Sequence, residues 1–176
     1  YFYYCYNWEN VVVNVWDLTN LANKHPRVNI LQPGRGAGVE PYFIISDYTK
    51  DSKIIGKARE VNKYKSLWCA EKIQKEKLQF ELNNKKKPII ALMGLAFKTN
   101  IDDLRKSHAK YITQQFLQNS NGSDYFIIES NIESHSIFKL TEPEYAVKSA
   151  DIIAFLVAHK QFKNLQISSE KIVLDF

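Results

Sequence analysis

Residues 87–118 read KPIIALMGLAFKTNIDDLRKSHAKYITQQFLQ. A continuous apolar run up to Met93 closes on Gly94, the pattern of a strand buried on both faces of a parallel sheet. From Asp102 onward the residues follow a helical rhythm. The spacing predicts a helix over 102–118, with Asp102 and Asp103 near its positive end. Strand, glycine, loop and helix in this order make one βα unit. The joint predicts an anion site, because backbone N–H groups and a helix dipole converge there, with Lys98 and Arg105 adding charge nearby. It carries a single glycine rather than the spaced glycines of a dinucleotide fingerprint, so a plain strand-to-helix turn with two surface cations stays open as the alternative.

The rest of the chain agrees with that unit. SDYFIIES predicts a second strand, DIIAFLVA a third and KIVLDF a fourth, with short helices at EPEYAVKSA and HKQFKNL between them. Strands alternating with helices imply a parallel sheet covered on both faces. Upstream, VVVNVWDLTNLANK predicts a short helix that Asn14 or Asp17 caps, with Trp16, Leu18 and Leu21 as apolar positions and Pro26 as its end. From Ser52 to about Leu82 the pattern is helical, with Ile54, Ala58, Val61, Trp68 and Ile73 on one face. NNKKKP, residues 83–88, closes that helix and is the predicted boundary between a helical region, 1–84, and an α/β domain, 85–176.

Composition narrows the classes. The chain has 176 residues, 45% of them hydrophobic and 24% charged, a globular rather than a disordered balance. The formal charge of +5 suits an anionic ligand without specifying one. The run Lys85–Lys87 is read as a solvated linker in preference to a nucleic-acid contact. Two cysteines, Cys5 and Cys69, argue against a disulfide framework and fit a reducing, cytoplasmic setting. The four histidines, His25, His108, His135 and His159, show no metal-ligand spacing. No apolar run approaches the ~18 residues of a membrane span. The aromatic start YFYYCYNWEN has no initiator Met and no signal-peptide pattern, which suggests that something precedes it.

A second stretch, HPRVNILQPGRGAGVEPYFII at residues 25–45, places His25, Arg27 and three clustered glycines in one loop, where backbone can approach a ligand closely. Arg27 suits bidentate contact with phosphate. His25 alone reads more readily as a satisfied structural group than as a ligand-binding one.

Together, HPRVNILQPGRGAG, KAREVNKYK, GLAFKTNIDDLRKS and HKQFK resemble the UDP-glucose/GDP-mannose dehydrogenase superfamily, most of all its UDP-N-acetylmannosamine 6-dehydrogenase branch. The resemblance covers essentially the whole chain. It implies an N-terminal Rossmann domain for NAD, a helical central region that dimerises, and a Rossmann-like domain for the UDP-sugar. This sequence resembles the later central region and the third part, so the NAD domain is expected to be absent. By resemblance, His25, Arg27, Gly38, Phe97 and Lys98 contact the UDP-sugar, Arg105 contacts NAD, and the helix 52–82 forms a homodimer. Relatives carry a cysteine nucleophile after the glycines of the 25–45 loop. Here Gly38 runs directly into Val39 and Glu40, by deletion or by a break in the chain. Glu40 stands at the position of the family's Asp. His108 replaces a usual Pro and Ala158 a usual Asp. The family oxidises a primary alcohol to a carboxylate with two NAD and one water, through a covalent thiol adduct. Without thiol and NAD domain, the expectation is an inactive dehydrogenase fragment, and the alternative a non-catalytic UDP-sugar-binding or dimerisation module.

Overall fold

A computed structural model describes residues 15–26, 45–47, 50, 52–120 and 124–176, with the side chains of Val15, Trp16 and Leu18 excepted. The chain divides into two compact units, residues 1–65 and 66–176, and the division falls inside a helix.

In the first unit, helix α1 (Val15–Ala22) carries Asp17 in its first turn, where a carboxylate favours the helix dipole. Leu21, predicted as an apolar contact, is exposed, whereas Thr19 is buried. The helix closes at Ala22, four residues before Pro26, the predicted end, and residues 23–26 form a turn. Asn14 lies outside the described residues.

Helix α2 (Lys53–Asn84) is long and continuous, and Gly56 does not interrupt it. Its early apolar residues are not the face that packs, since Ile54 and Ala58 are exposed. In the second unit the buried positions are Ser66, Cys69, Ala70, Ile73 and Lys77, a helical stripe. Lys85 takes a left-handed φ of 53°, a common way to stop a helix, and the Asn84 amide donates back to the Phe80 carbonyl. Within the lysine run, Lys86 forms an ion pair of 2.9 Å with Asp151, whose other oxygen accepts the Ile89 N–H. One member of that run therefore fixes the entry to the first strand.

The second unit contains four parallel strands, β1 (Ile90–Met93), β2 (Tyr125–Ile128), β3 (Ile152–Phe155) and β4 (Ile172–Asp175), in the order β2-β1-β3-β4. Ile90 pairs with Tyr125 on one side and Ile152 on the other, so β1 is central. Strand side chains alternate between faces, and both faces of β1 are covered. Ile90 and Leu92 pack with Cys69, Ala70 and Ile73 of α2 and with helix α3 (His108–Gln118). Ala91 and Met93 pack with helix α4 (Pro143–Ser149) and with Phe162 of a short 3-10 helix (Lys160–Asn164). This double burial explains why β1 reads as an unbroken apolar run. All four predicted strands and the α/β class are present.

The predicted helix over 102–118 is shorter than its periodicity suggested. Asn100 and Lys106 both adopt left-handed backbone, φ 58° and 52°. The Asp103 carboxylate accepts the Arg105 N–H, a local turn that competes with helix. Ser107 is the true cap, accepting the Lys110 N–H at 3.2 Å. From there Ala109, Ile112, Thr113 and Phe116 form the buried stripe.

Gly94 is required where it stands. Its φ is +95°, and a Cβ there would lie 2.7 Å from the Val157 Cβ. Gly94→Ala should therefore lower unfolding stability by about 2–4 kcal/mol, from backbone strain and overpacking together. Urea unfolding checks this. A midpoint equal to that of the unaltered chain would contradict it.

Candidate functional site

The three loops leaving the carboxyl ends of β1, β2 and β3 meet where the strand order reverses, between β1 and β3. Ligands bind at such points in open parallel sheets, because two neighbouring loops diverge and leave a crevice. The loop after β1 holds Phe97, Lys98 and Arg105. The loop after β2 begins with Glu129, and the loop after β3 ends on His159.

Glu129 organises the three. Its side chain is fully enclosed. Oε2 accepts the N–H groups of Leu95 at 2.7 Å and Ala96 at 2.8 Å. It also lies 3.1 Å from His159 Nε2. Oε1 accepts from the Asn131 backbone N–H at 3.0 Å and from its side-chain amide at 3.1 Å. Burial pushes the carboxyl up, but the bonds from His159, Leu95 and Asn131 outweigh it and hold it at about 2.

His159 is equally buried and uses both ring nitrogens. Nδ1 lies 2.9 Å from the Asn100 N–H, which can only donate, so Nδ1 accepts and Nε2 bears the proton given to Glu129. The Asn131 amide adds a second contact to Nδ1 at 2.8 Å.

These contacts correct the anion-site expectation. The backbone N–H groups after Gly94 are not open to a phosphate, because an internal carboxylate fills that place. The helix dipole is also displaced, since α3 begins only at His108. The sequence reading missed Glu129, Asn131, Asn100 and His159 as a group. A usable signal was present: Glu129 is the first polar residue after the buried run of β2, and His159 the first after that of β3.

Phe97 is half-buried and Lys98 exposed, and the Lys98 ammonium sits 5.5 Å from the Phe97 ring centroid. The structure therefore brings these two predicted residues together. The Phe97 N–H donates to the Asp103 carbonyl, closing the loop on itself. Arg105 is engaged within the loop by a two-pronged contact to Asp103, with Nε to Oδ1 at 3.0 Å and a terminal N–H to Oδ2 at 2.9 Å. Those hydrogen bonds, with the Arg105 charge, hold the Asp103 carboxyl at about 2. His25 belongs to the first unit, where it is exposed in the turn after α1. Arg27, Gly38 and Glu40 lie outside the described residues. The Leu95 and Ala96 amides, bonded to Glu129, are not available to a pyrophosphate. Among the described residues no group of His, Cys, Asp and Glu could hold a metal. No described helix is long and apolar enough to cross a membrane.

Residues 91–176 match the UDP-binding domain of the UDP-glucose/GDP-mannose dehydrogenase family. The chain is 42% identical over 173 residues to a UDP-N-acetyl-D-mannosamine dehydrogenase of Campylobacter jejuni, covering 92% of this chain and 40% of that protein. It is 38% identical over 178 residues to an NDP-N-acetyl-D-galactosaminuronic acid dehydrogenase of Ralstonia nicotianae, covering 95% of this chain and 41% of that protein. The solved UDP-N-acetylmannosamine dehydrogenase of Pyrococcus horikoshii superposes with a TM-score of 0.70 at 28% identity, over 93% of this chain and 40% of that one. The chain thus spans about two fifths of the length of these relatives.

The depressed Glu129 carboxyl makes a signed prediction. A carboxylate with a lowered folded-state pKa stabilises the fold above its ordinary value of 4.5, and that contribution is lost as pH falls toward about 2. The shift corresponds to on the order of 3 kcal/mol. The stability gap between the unaltered chain and Glu129→Gln, read by urea unfolding, should be full above pH 4.5 and shrink below it. A gap constant from neutral pH down to strong acid would contradict this.

Proposed function

Because the chain belongs to the UDP-glucose/GDP-mannose dehydrogenase family, we propose that it is the UDP-sugar-binding part of an NAD-dependent nucleotide-sugar dehydrogenase acting on UDP-N-acetylmannosamine. The observation that carries this reading is the loop Gly94–Arg105, fixed at the switch point with Phe97 and Lys98 side by side. The match over 91–176 and the names of the relatives at about 40% identity support it. On this reading residues 85–176 are the sugar-nucleotide domain and 1–84 belong to the central helical region.

Lys98 would neutralise diphosphate charge from an exposed stem, and Phe97 would offer an apolar face beside it. Side chains carry the recognition, since the strand-end amides are committed to Glu129. His25, Arg27 and Gly38 are further candidate substrate contacts on the motif resemblance alone. Arg105 would meet NAD, exchanging part of its hold on Asp103 for a phosphate. NAD, when bound, accepts the hydride, and this chain's residues bind and orient the sugar.

A second reading follows from the cysteines. Cys69 is 3% exposed within the core against β1, so it cannot attack a substrate carbon. Glu40 stands where a carboxylate beside the nucleophile is expected, with no thiol neighbour in sequence. These 176 residues alone would then bind UDP-sugar without oxidising it. Calorimetry of the chain with UDP should show binding that Lys98→Ala abolishes, and the chain with UDP-sugar and NAD should form no NADH. No heat with UDP would sink the binding role, and NADH formation would sink the inactivity.

We also propose a homodimer through residues 52–82. It is supported by the length of α2 and by its exposed Ile54, Leu78 and Leu82. Light scattering should give twice the chain mass. A monomer at micromolar concentration would contradict it.

A further inference from the structure

We propose that Glu129 and His159 are positioning residues that lock the loop Leu95–Asn100 at both ends and so set where Phe97 and Lys98 meet a uridine diphosphate group. The inference rests on the reading of that loop as UDP-binding.

One end of the loop is held by the N–H groups of Leu95 and Ala96 on Glu129 Oε2. The other end is held by the Asn100 N–H on His159 Nδ1. Asn100 Oδ1 also accepts the Lys160 N–H at 2.7 Å, tying the loop to the residue after His159. Asn100 has φ 58°, a left-handed conformation that Asn tolerates better than most residues but that needs support. The two anchors are joined directly by the bond from His159 Nε2 to Glu129 Oε2, and Asn131 braces both partners. Between the anchors lie only Phe97, Lys98 and Thr99. Both Glu129 and His159 have fully enclosed side chains, so neither touches a ligand, and any effect on binding passes through the loop.

Each ring nitrogen of His159 has a separate task, which makes the clamp divisible. Gln at this position can keep a donor near Nε2 but has no acceptor near Nδ1. Asn can keep the acceptor near Nδ1 but loses the donor to Glu129. The test uses the 176-residue chain, amide hydrogen exchange and calorimetry with UDP. In His159→Gln the Asn100 amide should exchange about tenfold faster, the scale of one lost hydrogen bond, while Leu95 and Ala96 stay protected. UDP affinity should fall by about tenfold. His159→Asn should keep Asn100 protection and UDP affinity within about twofold of the unaltered chain. Asn100→Gly keeps the left-handed backbone but loses the bond to Lys160, and it should weaken UDP in the same direction if His159→Gln does not fold.

Asn100 still protected in His159→Gln would overturn the clamp. So would an Asn100 freed with UDP affinity unchanged, or an equal loss of affinity in both His159 variants, which marks general loosening of the core. No UDP binding by the unaltered chain would overturn the assignment of the loop itself, and the clamp is then judged on Asn100 exchange alone.

Discussion

A single buried carboxylate governs the working end of this sheet. Removing Glu129 from water is costly, and the cost is met because five donors from three segments converge on its two oxygens. Two of those donors are the Leu95 and Ala96 amides that follow Gly94 after β1, two come from Asn131 after β2, and one comes from His159 after β3. The loops of three neighbouring strands are therefore satisfied by the same group. If any loop moves, buried donors lose their acceptor.

That arrangement changes how an anion could be recognised. A strand followed by glycine usually leaves its amides for a phosphate. Here the protein supplies its own anion, and the positive charge left for a ligand sits on exposed stems such as Lys98. The loop gains order from inside and presents side chains outside. Gly94 belongs to the same logic, since its left-handed turn and contact with Val157 let the β1 and β3 loops approach closely enough to share Glu129 and His159.

The strands were legible because burial on both faces leaves continuous apolar runs bounded by polar turns, as in Ile90–Met93 and Ile152–Phe155. Phe97, Lys98 and Arg105 were singled out by motif resemblance, and the structure places all three in the loop after β1. The start of α3 was not, because residues 102–107 look helical in composition while Asn100, Asp103 and Lys106 favour a turn, and backbone sign is invisible to periodicity. The early face of α2 was misjudged for a related reason: apolar spacing marks a stripe without saying what covers it. Glu129 and His159 are 30 residues apart in sequence and become partners only through the parallel register of β2, β1 and β3. Each position could be picked out as the first polar residue after a buried strand, but their pairing follows only from the strand order.

The most direct test of the Glu129 centre is a carbon-detected NMR titration of its carboxylate, with the Leu95 and Ala96 amides followed in the same samples. The account predicts a carboxylate that stays ionised until pH about 2, with both amide resonances shifting in step with it. A carboxylate that titrates at its ordinary 4.5 while those amides stay unmoved would contradict it.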